Sequence, residues 1–362
     1  MNDLRTAPPP VEPVTGHNSA AFAALPTAVH AAVVEAMQLA CPGGTLLSVE
    51  PQQGGMSGAS VYRLRVDDRS LLLRLPDAGA GPRDRARQLA CLQIAAGSDV
   101  APPLYYADAG SGITLSAFIT PPAAPVPIGP AQLGQLLRDL HGGPPFPVHR
   151  TAFEAIDGAL VPLAQNGVPL APVLTEALAG YQQVKHVIGP HLTSSPCHND
   201  LNPGNVLHDG TRPWLVDWDG ACMNDPMFDV ASALLWFRLA DAAERDLLQA
   251  YFDRAPTVLE IAKLELMKHV VRCFYMLVFL LIALPDGGVG AMHAIDRATL
   301  PSFADFIVGV GRGERDLQDG DTRRLLSLVL GDAAVQIMRL ATFTSALDTL
   351  RTPNREAGDP TR

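Results

Sequence analysis

The chain has 362 residues, 48% hydrophobic and 18% charged, enough to bury a substantial core in one or two domains. Its formal net charge of −10 argues against a nucleic-acid partner, because no basic excess exists to displace counterions from phosphates. The same negative field suits a cationic small molecule. Five scattered cysteines (Cys41, Cys91, Cys197, Cys222 and Cys273) form no CxxC pair, which argues against a disulfide framework or a structural zinc site. The opening MNDLRTAPPPVEP lacks the basic-then-apolar order of a secretory signal. The longest apolar run, Val270 to Leu284, is interrupted by Arg272 and falls short of the ~18–20 residues that span a bilayer. A cytoplasmic protein with no membrane partner is expected.

Residues 1–18 are Pro-rich and polar and read as a disordered tail. Apolar residues at helical spacing predict a helix from Ala20 to Leu39, stopped by Pro42-Gly43-Gly44. Three short runs then read as strands (LLSVE, SVYRLRV and SLLLRLP), joined by a Gly-rich loop and a tight turn. A helix over 83–96 follows, then two more strands, LYYADA and ITLSAFI, turning at Gly110-Ser111-Gly112. PPAAPVPIGP at 121–130 reads as a hinge. Beyond it the pattern is helical over 131–141, 153–165, 171–188, 228–253, 257–284 and much of 299–350, with one strand-like interruption between Cys197 and Asp219. The expected fold class is α+β: an N-terminal β-rich part over 19–120, a helical part over 131–350, and a polar tail over 351–362.

The chemistry concentrates in CHNDLNPGNVLHDGTRPWLVDWDGACMNDPMFDVA, residues 197–231. His198, Asp200, Asn202 and Asn205 share a polar loop containing Pro and Gly. The next segment reads as a hairpin turning at His208-Asp209-Gly210, which returns Asp217 and Asp219 toward that loop. Two carboxylates and an amide oxygen converging on one point suit a hard cation such as Mg²⁺. A carboxylate left free of metal can accept a hydroxyl proton. Those are the parts that phosphoryl transfer needs.

His198-x-Asp200-xxxx-Asn205, with Asp217 closing the next strand, resembles the aminoglycoside phosphotransferase and choline kinase superfamily, a variant of the protein-kinase HRDxxxxN and DFG arrangement. CHNDLNPGN and DWD are nearest the bacterial choline kinase-like branch. The resemblance covers about residues 45–285. It implies a protein-kinase-like two-lobed fold, with a small β-rich N-lobe, a larger helical C-lobe and extra C-terminal helices. It also implies Asp200 as catalytic base, His198 bracing the catalytic loop, Asn205 and Asp217 on Mg²⁺, and Asp229 hydrogen-bonding that loop from behind. Asp219 would be a further metal or substrate contact, whereas Asp225, before Pro226, reads as a turn residue.

By the same resemblance the N-lobe grips ATP. Gly54, Gly55, Ser57 and Gly58 would form the phosphate loop, and Arg74 would contact the α/β-phosphates. Gln88 stands where kinases carry a glutamate that pairs with this cation, so the ion pair is lost; Asp84 lies one turn away. For the acceptor, Trp236 and Phe237 fall where choline kinases place a substrate tryptophan, while DWDGAC lacks the tyrosine of the branch's DWEYAG. The expected activity is ATP-dependent phosphorylation of a small molecule's hydroxyl, with a choline-like amino-alcohol as acceptor. An antibiotic (aminoglycoside or macrolide type) or sugar-like hydroxyl is the alternative within the class. A nucleotide-binding pseudokinase is the alternative outside it.

Overall fold

The computed structural model describes residues 22–52, 58–77, 79, 81–124, 126–287, 292–293 and 295–351. Gly54, Gly55 and Ser57 lie outside these residues, as do the expected N-terminal tail and all of the C-terminal tail except Arg351. The chain divides into two compact units, residues 1–86 with 103–118, and residues 87–102 with 119–362.

The first unit is a five-stranded antiparallel sheet with one helix on it. Its strands are β1 (Leu46–Pro51), β2 (Ser60–Val66), β3 (Arg69–Leu75), β4 (Leu104–Ala107) and β5 (Thr114–Ala117), in the order β1-β2-β3-β5-β4. Alternation in β3 buries Leu71, Leu73 and Leu75 on one face, so Arg74 projects from the other, between Val61 of β2 and Thr114 of β5. The buried face packs against Val33, Ala36 and Met37 of α1 (His30–Ala40). This helix is shorter than the 20–39 pattern predicts. Pro26 lacks the N–H that a helix interior needs and disfavours helical geometry at Leu25, so a single 3₁₀ turn, Thr27–Val29, leads into α1. α2 (Pro82–Gly97) is divided between the units after Ala86.

The second unit holds α3 (Pro130–His141), α4 (Ala152–Gln165), α5 (Pro172–Ile188), α6 (Pro226–Trp236), α7 (Asp241–Phe252), α8 (Val258–Ile282), α9 (Phe303–Gly311), α10 (Gly320–Met338) and α11 (Ala341–Arg351). α8 starts from a Thr257/Glu260 capping box, and α4, α5, α6, α10 and α11 pack around it. That central position explains why its residues are apolar on nearly every side. The 228–253 stretch is not one helix. Asp225 caps α6 and Pro226 begins it; the chain then breaks after Trp236, with Arg238 left-handed (φ 53°), before α7. The interruption between α5 and α6 contains four short strands: β6 (Ser195–Cys197), β7 (Val206–His208), β8 (Pro213–Leu215) and β9 (Cys222–Asn224), paired β6 with β9 and β7 with β8. Among the described residues no single helix is long and apolar enough to cross a membrane.

Candidate active site

The loop after β6 is hung from α6. The backbone N–H groups of His198 and Asn199 donate to the two oxygens of buried Asp229, at 2.7 and 2.8 Å. Asn199 is left-handed (φ 64°), and its side-chain amide donates to the Gly220 carbonyl at 3.1 Å. Asp229 is braced in turn by His141 Nε2 at 3.2 Å, and His141 Nδ1 lies 2.9 Å from the Tyr251 hydroxyl. His198 is fully buried, its Nε2 donates to the Val216 carbonyl at 2.9 Å, and its ring meets Trp218 edge-on at 4.8 Å. With Nε2–H committed to a carbonyl, this buried imidazole ties the loop to the segment that follows β8.

Asp200 sits at the mouth of the loop with both oxygens engaged. Oδ2 accepts from the amides of Asn205 (2.9 Å) and Asn202 (3.2 Å), and Oδ1 accepts from the Tyr275 hydroxyl at 3.2 Å. Burial and the neighbouring Asp200 charge push the Tyr275 phenol well above its usual range, so it stays a donor. The sequence motifs do not include Tyr275, on α8; its only local signal is a lone hydroxyl within an apolar helix, where a buried phenol needs a polar partner. Trp236 packs edge-on against Tyr275 (5.0 Å) and near Phe303 (5.6 Å), which puts it one ring away from Asp200. Phe237 instead ends α6 and packs on the hydrophobic core, and no ring contact links it to Tyr275.

The β7–β8 hairpin returns the chain to the loop. Val206 pairs with Leu215, and the Val216 N–H donates to the Asn205 carbonyl at 3.0 Å. Asp217, the next residue, is left-handed (φ 65°, ψ 76°) and opens the 3₁₀ turn Trp218–Gly220 that contains Asp219. For a non-glycine residue that conformation costs on the order of 1–2 kcal/mol, and aspartate is one of the few side chains that adopt it at turns. Arg87 of α2 closes over this turn, donating to the carbonyls of Asp219 and Ala221, each at 2.7 Å. The donor set fits Mg²⁺. Both hydrogen bonds of the Asn205 amide are made by Nδ2, which leaves Oδ1 to join the Asp217 carboxylate as an oxygen ligand.

A second group of possible ligands, His141, Cys197 and Asp229, has its atoms within 4.8 Å of one another. It does not suit a metal. The Asp229 oxygens hold the loop, both His141 nitrogens are engaged, and burial pushes the Cys197 thiol well above its usual range. Asp225 is more than a turn residue. Besides capping α6 it accepts from Thr193 and forms a buried ion pair with Lys263 of α8 at 2.6 Å. In the first unit Gly58 lies just before β2, where a Cβ would stand 2.6 Å from Asp77 Oδ1. Arg74 and Gln88 lie in different units, Gln88 half-buried next to Arg87.

The model of the phosphotransferase enzyme family matches residues 48–261, more than half of the chain. Protein LicA of Haemophilus influenzae is 39% identical over 59 residues, 16% of this chain and 22% of that protein, so the alignment spans about a fifth of the relative's length. Among solved structures, a choline/ethanolamine kinase family protein from Mesorhizobium loti is similar with a TM-score of 0.64 at 22% identity, covering 88% of this chain and 99% of that one. Choline kinase LicA from Streptococcus pneumoniae gives 0.56 at 18% identity, covering 85% and 100%. At such identities the likeness shows the fold, which is the expected α+β, protein-kinase-like one.

Proposed function

The chain belongs to the phosphotransferase enzyme family, and on that premise we propose that it moves the γ-phosphate of ATP onto the hydroxyl of a choline-like amino-alcohol. The observation that carries this reading is the setting of Asp200: one carboxylate oxygen held by two amides, the other by a phenol whose ring packs against Trp236. Oδ2 accepts from two amides and Oδ1 only from the Tyr275 hydroxyl, so the acceptor hydroxyl would come to Oδ1, where Asp200 orients it and takes its proton. Trp236 and Tyr275 are both buried, and an ammonium head lodged against their rings would gain about 0.5–2 kcal/mol by cation–π attraction. Asn205 and Asp217 would hold Mg²⁺, which when bound neutralises charge on the transferring phosphoryl group. The roles of Gly54, Gly55, Ser57, Gly58, Arg74 and Gln88 toward ATP, and of Asp219, rest on resemblance alone. For Arg74 the check is kinetic: Arg74→Ala raises the apparent KM for ATP beyond about tenfold if it grips phosphate, and leaves it unchanged otherwise. A cytoplasmic setting goes with this reading, since all five cysteines are buried free thiols.

The test is ADP release from Mg-ATP in the presence of choline, ethanolamine, an aminoglycoside or a macrolide. Release is expected with the amino-alcohols, and Trp236→Ala should raise KM for choline about tenfold while leaving KM for ATP alone. Release with an antibiotic only would replace the amino-alcohol by a larger hydroxylated acceptor. No release with any acceptor would favour a nucleotide-binding module without turnover.

A further inference from the structure

One cation beside the metal-side turn takes no part in the chemistry above. Arg87 sends Nη2 to the Asp219 carbonyl and Nη1 to the Ala221 carbonyl, both at 2.7 Å. From the other side Asn199 holds the intervening Gly220 carbonyl at 3.1 Å, and the Cys91 thiol, one turn further along α2, reaches the Ala221 oxygen at 3.5 Å. Three successive carbonyls are therefore held by groups outside the turn, and Arg87 is the charged donor among them. The turn so held begins at Asp217, whose left-handed backbone sets the direction of its carboxylate.

We propose that Arg87 is the positioning residue of the metal site: its guanidinium fork locks the turn 218–221 and so holds Asp217 in the left-handed conformation from which it serves as ligand. The proposal rests on reading Asp217 as a Mg²⁺ ligand. A planar fork with fixed N–H directions meets two carbonyls spaced along one turn better than a single ammonium does. It also gives α2 a link to the chemistry that differs from the kinase glutamate absent at Gln88. In this chain the helix acts on the metal-side loop through its backbone.

Two measurements on the full-length protein test it, neither depending on turnover. Hydrogen exchange without ligand follows the Ala221 amide, which donates to the Trp218 carbonyl at 3.2 Å inside the turn. In Arg87→Ala that amide should exchange about tenfold faster or more, with the β7–β8 amides unchanged. Calorimetric titration with ADP should show binding weakened roughly tenfold when Mg²⁺ is present and unaltered when it is absent. Arg87→Lys, able to reach one carbonyl, should fall between, and it carries the test if the alanine variant does not fold. Asp217→Ala is the control for the underlying reading: if it leaves the Mg²⁺ dependence of ADP binding intact, the metal assignment itself fails. If Asp217→Ala removes that dependence while both Arg87 variants keep wild-type exchange and binding, Arg87 is only a packing tie and the proposal is overturned.

Discussion

Changing Asp200 to Asn removes the charge that would accept a hydroxyl proton while preserving the shape that Asn202, Asn205 and Tyr275 hold. Turnover is expected to fall by about 10²–10⁴-fold, with nucleotide affinity and unfolding midpoint close to those of the parent; near-normal turnover would mean another group is the base. Asp225 and the two proposed metal ligands should separate cleanly. Asn205→Ala and Asp217→Ala are expected to weaken Mg-ATP binding with little loss of stability. Asp225→Ala strands Lys263 without its partner at a buried site, which typically costs about 3–5 kcal/mol. Denaturant unfolding and calorimetry on the three variants decide it, and equal stability losses in all three would remove the distinction. Serine, asparagine and aspartate before a helix read as caps in any sequence; the buried lysine that turns this cap into a clamp comes from α8.

α8 is anchored at its first turn by Glu260, which accepts from Thr257 and from the Arg254 guanidinium. The Arg254 bond first, and the Thr257 cap after it, lower its carboxyl from 4.5 to about 2 against the opposing effect of burial. Because the folded value is the lower one, the stabilisation is complete above the unfolded value near 4.5 and is lost as pH falls through about 2. Glu260→Gln is expected to lower stability at neutral pH by about 1 kcal/mol and to flatten the acid side of the stability profile. Thermal unfolding across that range measures it; a profile with the parent's acid slope would assign the slope to other carboxylates. The helix boundaries show what local signals can do. Thr151-x-x-Glu154 and Thr257-x-x-Glu260 announce α4 and α8. Nothing equally local marks the break between α6 and α7, where Phe237 to Ala240 carry no proline or glycine.

Packing across the second unit carries over to the catalytic loop. α3 and α7 approach so closely at Gly134 that a Cβ there would stand 2.3 Å from the Leu247 carbonyl oxygen, which cannot swing aside as a side chain would. The same two helices supply His141 and Tyr251, which meet behind Asp229. Gly134→Ala is therefore expected to cost about 1–3 kcal/mol of stability and to lower kcat, since parting the helices loosens the brace on the loop. Unfolding curves read beside turnover test both halves; a variant as stable and as active as the parent would show that the helices separate without consequence. α9, α10 and α11, which lie beyond the family match, belong to the same core: Leu326, Val329 and Leu330 of α10 are buried, and the Ser327 hydroxyl donates to the Met276 carbonyl.

The sequence by itself determined those features that repeat over a few residues. Alternation in SVYRLRV and SLLLRLP fixed β2 and β3 and put Arg74 on the face opposite Leu71, Leu73 and Leu75, because successive strand side chains must point to opposite faces. His208-Asp209-Gly210 announced the β7–β8 hairpin, and that hairpin carries Asp217 back toward Asn205. Pro26 is just as visible, yet the apolar spacing runs through it and predicts a longer helix than forms. Only the tertiary structure decided which distant groups meet. Tyr275 reaches Asp200 from 75 residues away, and Arg87 reaches Ala221 across 134. Neither position names its partner locally: the Tyr275 hydroxyl asks for a polar group without saying which, and Arg87 passes for a solvated charge on α2. Periodicity records how a side chain faces its own element, whereas a partner across the chain is chosen by how whole elements pack.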